Sequence, residues 1–306
     1  MDSTHQLIIV GGGPAGLSAG LYASRSKLDA LLIEKAGLGG QILNAEMVEN
    51  YPGFPQGISG SELGALIAQQ ATKYGLPTAF AEVQGIEIRG GEKIVSTSEG
   101  EYRAKAVIIA GGSEYSKLGV PGEVEFTGKG VSYCAMCDGA FFRDQVVAVV
   151  GGGNVALNDA LFLTRFASKV IVIHRRDQLR ATRILQDKAF ANPRMEFLWD
   201  TVVDSIIGDK LVRAIRLRNV KTGKGSSLET SGVFVAVGLR PNTGYLKGLL
   251  TLDEGGFILV SGQMETRVQG IYAAGDIRAG SIRQVVSAAG DGATAAVAAE
   301  RFLSSV

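Results

Sequence analysis

Cysteine, histidine and tryptophan are scarce in this chain, whose 306 residues include 2 cysteines, 2 histidines and 1 tryptophan. A zinc site usually needs about four ligands. The two cysteines and two histidines could therefore form one such site at most. His5 opens an apolar run with no further ligand near it, and His174 lies far along the chain. We expect no metal centre.

Charge imbalance and long apolar runs are also missing. The 31 basic and 30 acidic residues give a net charge of +1, so nothing in the charge favours nucleic acid or an anionic membrane. No apolar run reaches the roughly 18 residues that span a bilayer. The start, MDSTHQLIIVGGGPAG, lacks the basic segment of a signal peptide. We therefore expect a soluble, cytoplasmic protein with neither a nucleic acid nor a membrane partner.

Glycine is abundant, with 42 residues, and many of them lie in two segments of the same design. QLIIVGGGPAGLSAGLYASRSKLDALLIEK begins at Gln6, and QVVAVVGGGNVALNDALFLTRFASKVIVIHRR begins at Gln145. Each has a β-rich run, glycines, a helical stretch and a second β-rich run, which is the pattern of a β-α-β unit. The sequence predicts an α/β fold with two Rossmann-like three-layer nucleotide-binding domains. Each is followed by a small antiparallel meander, at residues 78–104 and 195–231.

The glycines of both segments fit the dinucleotide-binding fingerprint. The positions are Gly11, Gly13 and Gly16 in the first segment, and Gly151, Gly153 and Ala156 in the second. The first glycine makes a tight turn, the second lets the backbone approach a pyrophosphate, and the third position is small so that helix and strand can pack. Because each copy lies between a predicted strand and a predicted helix, both are predicted to bind a nucleotide.

The residue at the end of the second strand indicates which nucleotide each unit binds. Glu34 follows Gly11 by 23 positions, and His174 follows Gly151 by the same 23. Glu34 can accept hydrogen bonds from ribose hydroxyls and would repel a 2′-phosphate, which favours FAD or NAD(H). The second unit has HRRDQLR instead, with Arg175, Arg176 and Arg180. These arginines can bind a phosphate and favour NADPH, although a charge run of this kind can also be ordinary solvated surface.

Both cysteines lie in YCAMCDG at residues 133–139, shortly before the second fingerprint. Structural disulfides are rare in reducing compartments, so Cys134 and Cys137 are predicted to form a redox pair. Further along, GIYAAGDIRAGSIRQVVSAAGDG at residues 270–292 predicts a strand, a turn with Asp276 and a helix that begins near Arg283. That helix either faces a flavin ring with its N-terminus or serves packing alone.

Together these motifs resemble the low-molecular-weight thioredoxin reductase family of flavoproteins. The matching stretches are GGGPAGLSAGLYASR, GGQ at 39–41, VENYPGFP at 48–55, YCAMCDG, GGGN with HRRDQLRA, GLRPN, and YAAGDIR with RQVVSAAGDG. They extend from residue 6 to residue 292. The resemblance implies a homodimeric flavoenzyme that passes electrons from NADPH through FAD and the Cys134–Cys137 disulfide to thioredoxin or a thioredoxin-like protein disulfide, with domain rotation between the half-reactions.

The resemblance also implies domains and site residues. An FAD-binding domain would comprise 1–114 and 243–306, and an NADPH-binding domain with the CxxC disulfide would comprise 115–242. The residues implied for FAD are Gly11, Gly13, Pro14, Ala15, Gly16, Glu34, Gly40, Gln41, Asn50, Val83, Ala110, Gly111, Gly275, Asp276, Arg283, Gln284 and Val285. Those implied for NADPH are Gly151, Gly153, Asn154, Val155, Ala156, His174, Arg175, Arg176 and Arg180. The catalytic residues would be Cys134, Cys137 and Asp138, with Asp138 as the acid that protonates a leaving thiolate.

The second fingerprint departs from the family pattern GGG-[ND]-[ST]-A-x-E-E-A, since it has GGGNVALNDA with Val155, Asn158 and Asp159. Another electron donor, such as NADH, a ferredoxin or a deazaflavin, therefore stays an alternative. A dithiol oxidase and a non-catalytic redox sensor are further alternatives. The arginine cluster argues against the dithiol oxidase, and the intact CxxC-Asp argues against the sensor. Which cysteine faces the flavin stays open.

Overall fold

The computed structural model describes residues 3–45, 47–246 and 248–305. The chain divides into two compact units. Unit 1 consists of Met1–Glu114 with Arg240–Val306, and unit 2 consists of Tyr115–Leu239. Unit 2 is thus inserted into the sequence of unit 1.

Helices and strands are numbered along the chain. The helices are α1 Pro14–Arg25, α2 Gly60–Thr72, α3 Ala135–Asp138, α4 Asn154–Leu163, α5 Arg183–Phe190 and α6 Val285–Leu303. The strands are β1 Ser3–Val10, β2 Ala30–Glu34, β3 Thr78–Phe80, β4 Val83–Arg89, β5 Glu92–Thr97, β6 Gly100–Ile109, β7 Ser113–Tyr115, β8 Val131–Ser132, β9 Val146–Val150, β10 Lys169–Ile173, β11 Met195–Leu198, β12 Thr201–Gly208, β13 Val212–Asn219, β14 Gly225–Glu229, β15 Gly232–Val235, β16 Leu239–Pro241 and β17 Ile271–Ala273.

A seven-stranded sheet forms the centre of unit 1, in the order β3-β2-β1-β6-β5-β4, with β17 also paired to β6. Strands β1, β2, β3, β6 and β17 run parallel, while β4 and β5 are antiparallel. Leu7 and Ile9 point into a core shared with α1 and α6, and Ile8 and Val10 into the core on the other face. This alternation in a fully buried strand produces a three-layer domain.

Small residues let α1 and α6 pack closely. A Cβ added to Gly292 of α6 would collide with the backbone carbonyl of Ala15 in α1, so only glycine fits there. At Gly290, in the same helix, a Cβ would meet nothing within 4 Å. The two helices therefore bring the start of the first fingerprint against the C-terminal motif.

Unit 2 repeats the design with a parallel sheet in the order β11-β10-β9-β15-β8. One face packs against α4 and α5 through Val147 and Val149. The other face packs, through Ala148 and Val150, against the three-stranded antiparallel sheet β12-β13-β14. The α/β fold class with two Rossmann-like domains is confirmed.

One detail of the sequence prediction was wrong. The first residues of both predicted meanders, 78–80 and 195–198, form β3 and β11, which pair parallel with β2 and β10 at sheet edges. Short β-rich runs do not reveal the direction of a distant partner. The last helix begins at Val285, near Arg283 as predicted, and the φ of 58° at Arg283 keeps that residue itself outside the helix.

The segments that connect the units pair with each other as the two-stranded sheet β7-β16. Unit 1 resumes at Arg240, three residues before the predicted position 243. Asn242 explains the earlier boundary, because its N–H donates to the Gly112 carbonyl (3.1 Å) and its Nδ2 to the Gly111 carbonyl (2.9 Å). Within the described residues, no helix is long and apolar enough to cross a membrane.

Candidate active site

The first glycine loop connects β1 to α1. Gly11 has a φ of 107°, and a Cβ there would collide with the carbonyl of Ala110. A Cβ on Gly16 would collide with the carbonyl of Gly11. In contrast, a Cβ on Gly13 would meet only the Cα of Gly40, at 4.0 Å. Two of the glycines therefore fold the loop, while Gly13 leaves room for a ligand at the N-terminus of α1, which begins with Pro14 and Ala15.

Glu34, at the end of β2, lies beside this loop and is hydrogen-bonded to it. Its Oε2 accepts a hydrogen bond from the N–H of Gly12 (2.6 Å), and its Oε1 accepts one from the N–H of Ala36 (2.9 Å). A carboxylate has about four acceptor positions, so it can still accept hydrogen bonds from a ribose. The structure thus places Glu34 at the glycine loop.

The parallel strands of unit 1 bring further predicted residues to the same edge of the sheet. Ala110 and Gly111 follow β6, Gly275 and Asp276 follow β17, and both strands end beside the glycine loop. Val83 begins β4, which follows the edge strand β3. Because the carboxyl ends of parallel strands meet at one edge, the turns after β6 and β17 lie together beside the glycine loop, as nucleotide-binding folds require. Val83 pairs instead with Thr97, which lies opposite the start of β6 at Gly100.

The C-terminal motif forms a compact loop around Asp276. The Asp276 Oδ1 accepts a hydrogen bond from the Ser281 hydroxyl (3.1 Å), whose oxygen also accepts one from the N–H of Arg283 (3.2 Å). Burial raises the pKa of Asp276 above its usual range. Gln284 caps α6, and the Asn50 Nδ2 donates to its Oε1 (3.0 Å). The predicted residues Asn50, Asp276, Arg283, Gln284 and Val285 are thus connected.

Gln41 lies in a short helical turn that begins at Gly40. Its Nε2 donates to the backbone carbonyl of Ser113, just after the Gly111 loop. Nε of Arg283 and the hydroxyl of Tyr245 are among the buried polar atoms of this unit that have no hydrogen-bonding partner within the described residues. The hydroxyl of Tyr245 would lie 3.6 Å from a Cβ on Gly111. Unsatisfied donors of this kind fit a ligand with several acceptors. Sequence analysis missed Tyr245, which lies in no motif.

The second glycine loop connects β9 to α4. Gly151 has a φ of 154°, and a Cβ there would collide with the carbonyl of Ala236 and lie 2.8 Å from the Cβ of Ala156. A Cβ on Gly153 would meet nothing within 4 Å. Asn154 begins α4, and its Oδ1 accepts a hydrogen bond from the N–H of Thr182 (2.8 Å). Val155 is 55% exposed.

His174 is buried against this loop, and a side chain on Gly152 would collide with its ring. Its Nε2 bonds to the backbone carbonyl of Gln178 (3.1 Å). Burial lowers the pKa of His174, and the nearby arginines lower it further. The side chain therefore holds the loop as a neutral ring.

The three arginines of the same segment are exposed. They are Arg175, Arg176 and Arg180, and within the described part of the chain none takes part in an ion pair. The acidic neighbours Asp177 and Asp200 bind Lys221 instead, at 2.9 and 3.0 Å. Because the N–H of Arg180 also donates to the carbonyl of Gly152 (2.7 Å), the cations are fixed beside the glycine loop and available for a phosphate.

Cys134 and Cys137 form a disulfide with an S–S distance of 2.04 Å and a Cα–Cα distance of 5.3 Å. It lies across the start of α3, and the N–H of Cys137 donates to Sγ of Cys134 (3.1 Å). The Ser132 hydroxyl accepts a hydrogen bond from the N–H of Cys134 (3.0 Å). Asp138 ends the same helix, and burial raises the pKa of its carboxyl while Ser132 opposes the rise. The turn thus carries a redox pair beside a carboxyl that retains its proton above the usual pH range.

Glu123 is a buried carboxylate that sequence analysis missed, with 1% of its surface exposed. It accepts hydrogen bonds from the N–H groups of Leu118 (2.9 Å) and Gly119 (2.7 Å) and from the Tyr133 hydroxyl (2.9 Å). Tyr133 precedes Cys134 and stacks on Tyr115, with ring centroids 5.4 Å apart. The segment before the disulfide is therefore fixed to the first connecting segment of unit 2.

Comparisons with known proteins agree with these sites. The sequence model of the family described as pyridine nucleotide-disulphide oxidoreductase matches residues 5–292. The thioredoxin reductase of Bacillus subtilis (strain 168) is 46% identical over 304 residues, which cover 99% of this chain and 96% of that protein. The thioredoxin reductase of Peptoclostridium acidaminophilum is 42% identical over 309 residues, which cover 99% of this chain and 98% of that protein.

Solved structures give the same result. The thioredoxin reductase from Streptococcus pyogenes MGAS5005 matches with a TM-score of 0.96 and 46% identity, covering 100% of both chains. That from Giardia duodenalis matches with a TM-score of 0.95 and 38% identity, covering 99% of this chain and 100% of the other. Enzymes of the matched family use a flavin and a pyridine nucleotide with a disulfide. This chain is an enzyme of the pyridine nucleotide-disulphide oxidoreductase family and belongs to its low-molecular-weight thioredoxin reductases.

Proposed function

We propose that this enzyme passes reducing equivalents from NADPH, with bound FAD, to the Cys134–Cys137 disulfide and from there to thioredoxin or a thioredoxin-like protein disulfide. The observation that carries the proposal is the position of the disulfide in unit 2. The same unit presents a glycine loop and three exposed arginines that form no ion pair within the described residues. A redox disulfide and a nucleotide-binding loop in the same unit are what a reductase of external disulfides requires.

FAD fits unit 1. The open space at Gly13 and the N-terminus of α1 suit a pyrophosphate, Glu34 suits ribose hydroxyls, and Asp276 suits a polyol chain. The unsatisfied Nε of Arg283 and hydroxyl of Tyr245 supply further donors. When bound, FAD would supply an acceptor for hydride and a donor of electron pairs to a disulfide.

NADPH fits unit 2. The exposed Arg175, Arg176 and Arg180 can hold a 2′-phosphate in charge-assisted hydrogen bonds. No acidic side chain stands where Glu34 stands in unit 1, because His174 occupies the equivalent position. Exposed Val155 lies at the start of α4 and offers the pyrophosphate no hydroxyl, so the backbone N–H groups of the loop carry that contact.

The thiol chemistry is a disulfide exchange. Addition of two electrons and two protons converts the disulfide into two thiols. One thiolate then attacks the external disulfide, forming a mixed disulfide and releasing one thiolate of the partner. The second cysteine attacks the mixed disulfide, so the enzyme disulfide re-forms and the partner leaves as a dithiol. Asp138, which keeps its proton to higher pH because burial raises its pKa, donates a proton to a leaving thiolate.

The surface around the turn suits a protein partner. Met136 and Phe141 are 59% and 49% exposed and flank the exposed Cys137. Exposed apolar side chains beside a reactive group are a typical docking feature. We further propose that the protein is a homodimer. Light scattering during size-exclusion chromatography tests this by measuring the molar mass. The reducing cytoplasm, which keeps dithiols reduced, is the proposed compartment.

The test is anaerobic mixing of the yellow purified protein with NADPH, NADH or reduced ferredoxin, followed by thioredoxin disulfide. NADPH should bleach the flavin, and thioredoxin should restore its colour. In a matched variant with Cys134→Ser and Cys137→Ser, NADPH should still bleach the flavin, whereas thioredoxin should not restore the colour. Failure of NADPH to bleach the wild-type protein, with bleaching by NADH or ferredoxin, would assign the alternative donor.

Rotation of one unit against the other between half-reactions stays a prediction from the sequence order. A crosslink that fixes the two units and leaves turnover unchanged would refute it.

A further inference from the structure

Arg278 and Asp291 form a buried ion pair behind the Asp276 loop. Nε of Arg278 lies 2.6 Å from Oδ2 of Asp291, and Nη2 lies 2.9 Å from Oδ1, so the pair is bidentate. The two side chains are 16% and 9% exposed. Asp291 belongs to the SAAGDG part of the C-terminal motif, for which the function above gives no role.

The pair also fixes the backbone on both sides of Asp276. The Oδ2 of Asp291 accepts a hydrogen bond from the N–H of Gly275 (3.1 Å), and Nη1 of Arg278 donates to the carbonyl of Ala279 (3.1 Å). Gly275 has a φ of 77°, and a Cβ there would lie 2.9 Å from the Cβ of Ala15. The loop is thus held against the first helix of the fingerprint.

The charges around Asp276 are balanced by this pair. Its carboxyl is buried, and burial is the main reason its pKa is raised, while Asp291 raises the pKa further and Arg283 and Arg278 lower it. Arg278 without Asp291 would have an unpaired buried guanidinium next to Asp276 and would pair with it. Asp291 without Arg278 would leave two uncompensated carboxylates together. With the complete pair, Arg278 is engaged by Asp291, and Asp276, which accepts a hydrogen bond from Ser281, keeps acceptor capacity for a ligand.

We propose that the Arg278–Asp291 pair is a positioning element for FAD, which orients Asp276 toward the ligand and keeps its carboxylate from being captured by an arginine. This inference rests on the proposed FAD site. Neither residue touches the ligand in this proposal, since both act through Asp276 and the N–H of Gly275.

The test compares Asp291→Asn, Arg278→Met and the double variant in the purified holoenzyme. Flavin content per chain is measured first, and the rate of flavin release is then followed by the fluorescence of free flavin after dilution. We expect each single variant to release flavin at least tenfold faster than the wild type. The double variant removes both charges, so Asp276 is again free, and its release should be slower than that of either single variant.

Glu300→Gln is the matched control. It removes a carboxylate from the same helix, where Oε2 of Glu300 accepts a hydrogen bond from the Ser26 hydroxyl (2.9 Å), and it should release flavin at the wild-type rate. Arg278→Lys keeps the charge but loses the bidentate geometry. If a single variant fails to fold, Arg278→Lys replaces it in the comparison. Its flavin-release rate should lie between those of the wild type and Arg278→Met.

Two results would overturn the inference. One is a wild-type rate of flavin release in the single variants. The other is a double variant whose release rate is raised by the product of the two single-variant factors. Because charges in contact are coupled in any role, a merely structural role is recognised by flavin-free single variants whose unfolding temperatures fall in parallel with the faster flavin release. If the wild-type protein itself retains no FAD, the proposed function fails before the variants are compared, so the two failures are distinct.

Discussion

Replacing Asp138 with asparagine separates the chemistry of the redox turn from its stability. The carboxyl lies at the end of α3, one residue after Cys137, and burial raises its pKa from the usual 3.8. Asparagine has nearly the same shape but donates no proton at neutral pH. A positioned general acid contributes about 10²–10⁴-fold to rate, so Asp138→Asn should lower thioredoxin reduction by that factor.

The thermal stability of Asp138→Asn should rise near neutral pH, although its rate of thioredoxin reduction falls. An aspartate with a raised pKa in the folded state contributes stability below its unfolded pKa, and this stability is lost as pH rises through the folded pKa. At neutral pH the wild-type protein therefore lacks this stability, which amounts to about 1.4 kcal/mol for each unit of pKa shift. Asp138→Asn has no such loss, so it should unfold at a higher temperature near pH 7, with the difference disappearing toward acid.

The assay is steady-state reduction of thioredoxin across pH, plotted as the ratio of wild-type to variant rate. The ratio cancels thiol ionisation, which is common to both proteins, and should fall as pH rises through the raised pKa of Asp138. Asp144→Asn is the matched control, since Asp144 is exposed in the same segment, and at its φ of 59° asparagine is accepted as well as aspartate. A pH-independent ratio of one, or an equal loss in Asp144→Asn, would refute the role of Asp138.

Two further predictions concern the cofactor and the packing of unit 1. Replacement of Arg175, Arg176 and Arg180 with alanine should reduce the preference for NADPH over NADH about 10–100-fold, since each lost charge-assisted hydrogen bond weakens 2′-phosphate binding. The measurement is kcat/KM for each nucleotide. An unchanged ratio of the NADPH value to the NADH value would contradict the prediction. Gly292→Ala should destabilise the protein by about 1–3 kcal/mol, because its Cβ collides with the Ala15 carbonyl. Gly290→Ala has open space around the new Cβ and should be neutral or stabilising by up to about 1 kcal/mol. Thermal unfolding compares the two variants, and equal shifts in melting temperature would contradict the packing argument.

Local patterns predicted much of the fold and site. The two β-α-β units follow from apolar runs and helical periods, and Gly11, Gly16 and Gly151 were found because their positions admit no side chain. The equal spacing of Glu34 and His174 from their glycine loops predicts a different cofactor for each unit, and this stays a prediction. Cys134 and Cys137 were identified as a pair because the chain has no other cysteine.

Long-range contacts escaped prediction. The hydroxyl of Tyr245 comes close to Gly111 from 134 positions further along the chain, and no periodicity links them. Glu123 belongs to no motif, yet its carboxylate fixes both the connecting segment and Tyr133. The parallel pairing of β3 and β11 depends on partners that are 46 and 25 positions away at Leu32↔Thr78 and Val170↔Met195, which a run of three or four residues does not encode.

The sequence by itself determined which chemical groups are present and which local turns hold them, because glycine loops, helix starts and a CxxC turn depend on neighbouring residues. The tertiary structure decided which groups face one another. It buried His174 as a neutral ring, left the arginines beside it without acidic partners in the part of the chain that the structure describes, and paired Arg278 with Asp291 behind Asp276. These outcomes depend on burial and charge in three dimensions, where the dielectric surroundings set each group's protonation and partners.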